Sequence, residues 1–294
     1  MFDVGSFYRA QSVEDAVRAL AADPCALPVC GGTDLWVRNR EGRDSGASYV
    51  SIQGLPEITG VRLDPDGDIV IGAATCFRDV AEDPIVQKFI PMLGEAAEEV
   101  GSPQIRNVAT IGGNLCNGAT SADSAPSLLI LNALLVLKGS GGERRIPVEE
   151  FHTGPGRTCR LREEILCEIR IPRSAYQNRH GAYIKYGKRN AMEIATLGCA
   201  ALVHLKEQKL AEVRIAYGVA APTPVRCGKT EEILTGLPAH RETLERAAQC
   251  IRGEITPRSS WRASREFRLH IAGEMLKRAL AEAIRRAGGH IDEA

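Results

Sequence analysis

The sequence predicts two α+β domains joined by a short loop. Three observations carry that expectation. Short apolar strands interleave with helical patterns up to about residue 150, and a Gly- and Pro-bearing loop lies between Phe151 and Leu161. Beyond it the chain changes to strand-like runs of an antiparallel sheet, followed by three helical patterns. The two units are placed at 1–155 and 162–290.

The first element reads as a helix. Ser12 can cap it, Asp15 completes a capping box, and Val13, Ala16, Val17 and Leu20 form its apolar stripe. A buried strand at Leu27–Cys30 is broken by Gly31-Gly32, residues 33–39 form a helical turn, and Tyr49–Ile52 is a second strand. Val61-Arg62-Leu63 and Ile69-Val70-Ile71 flank Asp66-Gly67, a hairpin signal. Helical patterns follow at 77–81, 84–89 and 91–100. Thr110-Ile111 leads as a strand into Gly112-Gly113, and a helix follows Asp123. The strand Leu134–Leu137 is turned back by Ser140-Gly141-Gly142. In the second half Glu164–Ile171, Tyr183–Tyr186, Thr196–Leu205 and Leu210–Val219 read as one antiparallel sheet, with helices at 228–235, 241–252 and 260–287.

Composition narrows the function. The chain has 294 residues, 44% hydrophobic and 25% charged, enough for a substantial core. Thirty-seven basic side chains balance 37 acidic ones, which argues against a general nucleic-acid binder. Aromatic residues are only 5%, too few for a base-stacking platform. No apolar run reaches the length of a membrane span, and Met1–Gly5 lacks signal-peptide character, so a cytoplasmic protein is expected. The nine cysteines are scattered without CxxC or zinc spacing and are expected to be reduced, buried, small hydrophobes.

Signatures of self-sufficient catalysis are missing: no GxGxxG after a strand, no Walker A, no HExxH and no GxSxG. The six histidines stand alone, and Glu98-Glu99, Glu149-Glu150 and Glu163-Glu164 read as solvated faces. Arg258, Arg262, Arg265 and Arg268 read as a salt-bridged helix face or a docking surface. Two glycine turns remain: Val29-Cys30-Gly31-Gly32-Thr33-Asp34-Leu35, and Thr110-Ile111-Gly112-Gly113-Asn114-Leu115-Cys116-Asn117 with Ser121 and Asp123 beyond. Each can end a strand in a tight turn. Each can also aim successive amide N–H groups at one oxygen, with a following helical turn adding its positive end. Two such cradles suit a pyrophosphate with a sugar on each side, and a cofactor that brings its own redox chemistry explains the missing acid–base machinery.

At these turns the sequence resembles the FAD-bearing subunit of molybdenum hydroxylases, a family that includes xanthine dehydrogenases and carbon monoxide dehydrogenase. The likeness is strongest to the separate FAD subunits of bacterial xanthine dehydrogenases. It extends through residues 101–110 (GSPQIRNVAT), 117–124 (NGATSADS), 151–156 (FHTGPG), 218–226 (GVAAPTPVR) and 262–268 (RASREFR). The resemblance implies a PCMH-type, vanillyl-alcohol-oxidase-like FAD domain in two lobes, followed by a smaller domain of antiparallel sheet and helices. It implies that Val29, Cys30, Gly31, Gly32, Thr33, Asp34 and Leu35 wrap the pyrophosphate. Thr110, Ile111, Gly112, Gly113 and Asn114 would contact the ADP and ribityl side, and Asp123 a cofactor hydroxyl. Val100 would pack near the adenine half, Leu166 against the flavin from the second domain, and Lys185 near the flavin ring, stabilising its reduced anion. Cys30 replaces a usual alanine, and Trp36 a usual aliphatic, where it covers the adenine or simply packs.

The function so implied is electron transfer: from [2Fe–2S] clusters on a partner chain, to FAD here, to NAD⁺ as hydride. The iron–sulfur and molybdenum-cofactor centres would sit on other subunits, in a heterotrimer or its dimer. A molybdenum hydroxylase for another heterocycle, an aldehyde or CO, a free-standing flavin oxidase, and a flavin-free scaffold remain open at this stage.

Overall fold

In the computed structural model, residues 2–291 are described. The first lobe is built on the helix Val13–Ala22, where Ser12 Oγ accepts the Asp15 N–H at 3.1 Å and the four stripe residues are buried. The Asp15 carboxylate returns to the Gln11 N–H at 2.9 Å, one residue earlier than a capping box requires. This helix packs on a three-stranded parallel sheet in the order Val4–Arg9, Ala47–Ser51, Ala26–Val29. The edge strand Val4–Arg9 has no counterpart in the sequence reading. Every one of its residues is exposed, so it carries none of the one-sided burial that a strand pattern reports.

The second lobe is a five-stranded antiparallel sheet in the order Val61–Leu63, Ile69–Gly72, Ile165–Ile171, Leu134–Gly139, Gly142–Pro147. Its outer pairs are the two hairpins expected from the turns, and Gly67 (φ +84°) and Gly142 (φ +104°) occupy the left-handed region those turns demand. The central strand corrects the domain division. Ile165–Ile171 pairs with Ile69–Gly72 and Leu134–Gly139, not with the later strands. The loop at 151–161 is therefore internal to the first unit, and the boundary falls between Ile171 and His180. Apolar runs announce a strand but not its partner, and this one pairs with segments up to about 100 residues earlier in the chain.

The last unit is a four-stranded antiparallel sheet, His180–Tyr186, Leu197–Lys206, Lys209–Gly218 and Val225–Arg226. In Leu197–Lys206 the residues alternate between two cores. Ala200 and Leu202 face the core of the second lobe, while Cys199, Ala201 and Val203 face the helices Arg241–Cys250 and Arg265–Arg286. A strand buried on both faces reads as an unbroken apolar run, as this one does. The last helix starts at Arg265, where Ser264 Oγ accepts the Phe267 N–H at 3.1 Å, five residues later than the sequence suggested.

Candidate functional site: a cavity between the three units

The strand Ala26–Val29 runs out into Gly31-Gly32 against the second lobe. A Cβ on Gly31 would stand 1.9 Å from the Val108 carbonyl oxygen, so only glycine allows the two backbones to pass. Gly32 follows in the left-handed region at φ +69°. Gly32, Thr33, Asp34 and Leu35 come next, and among the described residues their N–H groups donate to no other protein group. All four line a cavity of about 630 Å³, within the size range of ligand sites.

The second doublet is different. Thr110 is an isolated bridge to Cys76 and caps the helix Ile111–Cys116, so the two glycines sit in the first helical turn, not in a turn after a strand. Their amides are already spent. Ile111 N–H donates to Thr75 O, Gly112 N–H to Ala73 O, Gly113 N–H to Thr110 Oγ1 and Asn114 N–H to Thr110 O. Gly112 is a packing glycine, its notional Cβ 2.5 Å from that of Ala73. Gly113 meets only Thr110 Oγ1 and is otherwise open on the cavity wall. The expectation of two equivalent amide cradles is thus corrected: the first doublet offers free donors, and the second offers space. The turns do converge, since Asn117 Nδ2 donates to Asp34 Oδ2 at 2.9 Å.

Cys30, Thr110, Gly112, Gly113, Asn114, Val100, Asp123 and Leu166 also line the cavity, as do Gly31 and the free-amide residues. Three of the sequence-derived candidates do not. Val29 and Ile111 are buried at 3% and 0% exposure, their side chains part of the core. Lys185 stands behind the wall: its Nζ donates to Asp123 Oδ2 at 2.9 Å and to the Glu99 carbonyl at 2.7 Å. Tyr183 Oη donates to the other carboxylate oxygen of Asp123 at 2.8 Å. Trp36 packs on Tyr49 and Phe2 and is absent from the lining.

Sequence reasoning missed part of the wall. Glu164 is 5% exposed, not a solvated carboxylate, and is held by Arg144 at 2.5 Å and by the Leu161 N–H. Met192, Glu193 and Ile194 close one side from the last unit. Neither feature had a local signal, because each is created by contacts across the fold. Burial pushes the Cys116 thiol up to about 11 and raises Cys30 too, so neither is a thiolate at neutral pH.

Burial pushes Asp123 up to about 6, with Lys185 and Tyr183 pulling the other way. The native chain then holds a proton that an unfolded aspartate releases near pH 4. Stability from this group is present at low pH and declines as pH rises from about 4 to about 6. Carboxyl-detected NMR is expected to show this aspartate titrating near pH 6. The midpoint moves higher in Lys185→Met, because the ammonium lowers it. A midpoint unmoved by that substitution contradicts the pairing.

Glycine-mediated crossing, free loop amides and a cavity walled by two lobes and a capping sheet make a ligand-sized site with unpaired donors on one wall. Comparison with known proteins agrees. Residues 2–174 match the model of the FAD-binding domain in molybdopterin dehydrogenase, and 182–283 that of the CO dehydrogenase flavoprotein C-terminal domain. The chain belongs to this family of flavoprotein subunits. The two matched segments meet where the sheet order puts the boundary. The chain is 43% identical over 291 residues to the xanthine dehydrogenase FAD-binding subunit of Escherichia coli O157:H7, covering 99% of this chain and all of that one. It is 34% identical over 231 residues to the carbon monoxide dehydrogenase medium chain of Hydrogenophaga pseudoflava, 79% of each. A solved carbon monoxide dehydrogenase chain from the same organism superimposes with a TM-score of 0.92 at 31% identity, over 97% of this chain and 99% of that one.

Proposed function

We propose that this chain is the FAD-bearing electron-transfer subunit of a molybdenum hydroxylase of the xanthine (purine) dehydrogenase type. Electrons would come from [2Fe–2S] clusters on a partner chain and leave to NAD⁺ as hydride. The observation that supports this most is the run of four unpaired N–H groups at Gly32–Leu35 on the wall of the 630 Å³ cavity. Neutral amides converging at a loop are the donor set that a diphosphate takes.

Bound FAD supplies the redox chemistry that no side chain here can provide. The chain's own residues bind and orient it. Gly32, Thr33, Asp34 and Leu35 donate to the diphosphate, while Cys30 and Gly31 shape the turn. Gly113 leaves room beside Thr110 and Asn114 for the sugar chain, and Val100 and Leu166 give apolar wall. Asp123 accepts from a cofactor hydroxyl while Tyr183 and Lys185 hold its carboxylate in place. Through that pair Lys185 keeps a buried positive charge beside the site, where it favours a reduced, negatively charged ring.

The relatives' names, FAD-binding subunit and medium chain, support partner chains, and the molybdenum cofactor named for the solved relative supports one that carries it; an iron–sulfur chain would complete a heterotrimer or its dimer. Nine unpaired cysteines support a reducing, cytoplasmic setting. The test is direct. The purified chain is expected to carry about one FAD and to oxidise NADH with an artificial acceptor. A folded sample that takes up no flavin contradicts the flavin assignment. A flavin-loaded sample inert to NADH contradicts the acceptor.

A further inference from the structure

Arg268 is 2% exposed, yet no carboxylate of the described residues pairs with it. Its Nη1 donates to the Thr196 carbonyl at 2.9 Å and its Nη2 to Ser260 Oγ at 2.8 Å, while its Nε has no partner. The other buried arginine, Arg214, shows what the fold does elsewhere: Glu212 lies 2.5 Å away and two backbone carbonyls complete its shell. A desolvated guanidinium without a counter-charge is costly, and the usual remedy is an anion.

The neighbours add to the imbalance. Arg262 also has a buried Nε with no partner, and its own N–H is 3.3 Å from the same Ser260 Oγ. The charges that act on Arg268 from nearby, Arg258 and Arg262, are both positive. Thr196, 1% exposed, has an unpartnered hydroxyl in the residue whose carbonyl Arg268 bonds. Above them Trp261, 76% exposed, holds Arg262 at 4.3 Å and Lys188 at 5.6 Å from its ring centre. Among the described residues, neither Arg258, Arg262 nor Lys188 is in a salt bridge. The expectation of a salt-bridged helix face is corrected at Arg268: its charge points into the protein, toward other cations.

We propose that Arg262 and Lys188, gathered on the Trp261 ring, with the unpaired charge of Arg268 behind them, form a binding site for an oxyanion of the phosphate class, separate from the flavin cavity. Guanidinium is the side chain whose donor fork matches such an oxygen set. Trp261 stacks Arg262 and gathers Lys188, holding the cations together against their repulsion. The ligand is either free phosphate or the phosphate of a nucleotide.

The flavin-saturated full chain is titrated by calorimetry with inorganic phosphate and, separately, with ADP, so that the dinucleotide cradle is already filled. One ion per chain is expected, with a dissociation constant in the millimolar range or tighter. Arg262→Gln is expected to weaken both by about tenfold or more, the loss of one charge-assisted hydrogen bond. ADP binding more tightly than phosphate assigns the site to a nucleotide, and equal affinities assign it to the free oxyanion; both support the site. Should Arg262→Gln fail to fold, the unmodified chain still decides. Phosphate then changes a tryptophan emission that is absent in Trp261→Phe. No binding of either ligand, or binding by folded Arg262→Gln equal to that of the unmodified chain, overturns the proposal.

Discussion

Gly113→Val is expected to leave the chain folded and nearly empty of flavin. A side chain at this position meets only Thr110 Oγ1, at 2.9 Å, and otherwise enters the cavity. The structural cost is confined to the helix cap, where Thr110 Oγ1 accepts the Gly113 N–H, and amounts to about 1 kcal/mol. The functional cost is the volume taken from the ligand. Flavin absorbance per chain is expected to fall from about one equivalent to under a tenth, with a melting temperature only a few degrees lower. Gly31→Val is the contrasting case. There the added carbon meets the Val108 backbone, which cannot move aside, and the expected result is loss of the folded chain itself. Full flavin occupancy in Gly113→Val contradicts the placement of the ligand.

Asp123→Ala is expected to cost about 3–5 kcal/mol of stability at neutral pH, because it strands an ammonium whose side chain is 5% exposed. Lys185→Met is expected to cost less. The carboxyl left behind already titrates near 6, and without the lysine its midpoint is higher, so it neutralises by taking a proton. The asymmetry depends on pH in a defined direction. In Lys185→Met the native state binds a proton that the unfolded state releases near pH 4. Its stability therefore falls as pH rises through the raised midpoint and recovers on acidification. Urea unfolding of both variants at pH 5.5 and 7.5 measures this. Equal losses at both pH values contradict a buried, mutually dependent pair.

Much of this site was legible in the sequence, because glycine is the residue that backbone geometry most constrains. Gly31, Gly32, Gly112 and Gly113 all lie on the cavity, and Asp123 and Leu166 are on its wall. What the sequence could not convey was the difference between the doublets. Whether an amide is free depends on partners such as Ala73 and Thr75, some 40 residues away in the chain. The same limit explains the strand Ile165–Ile171, recognised as a strand but assigned to the wrong sheet. Hairpins with Asp-Gly and Gly-Gly turns were found because their pairing is local. The burial of Glu164 and Arg268 was missed because charge in a sequence reads as exposure. Such reversals mark places where the fold has spent stability on something other than packing.

The central claim is that the first glycine loop grips the dinucleotide with amides the protein leaves unpaired, while the second doublet makes room. Backbone hydrogen exchange with and without FAD tests it residue by residue. The account predicts strong new protection at Gly32–Leu35 and little change at Ile111–Asn114, whose N–H groups are bonded within the protein already. Protection confined to Ile111–Asn114, with Gly32–Leu35 exchanging as before, would contradict it.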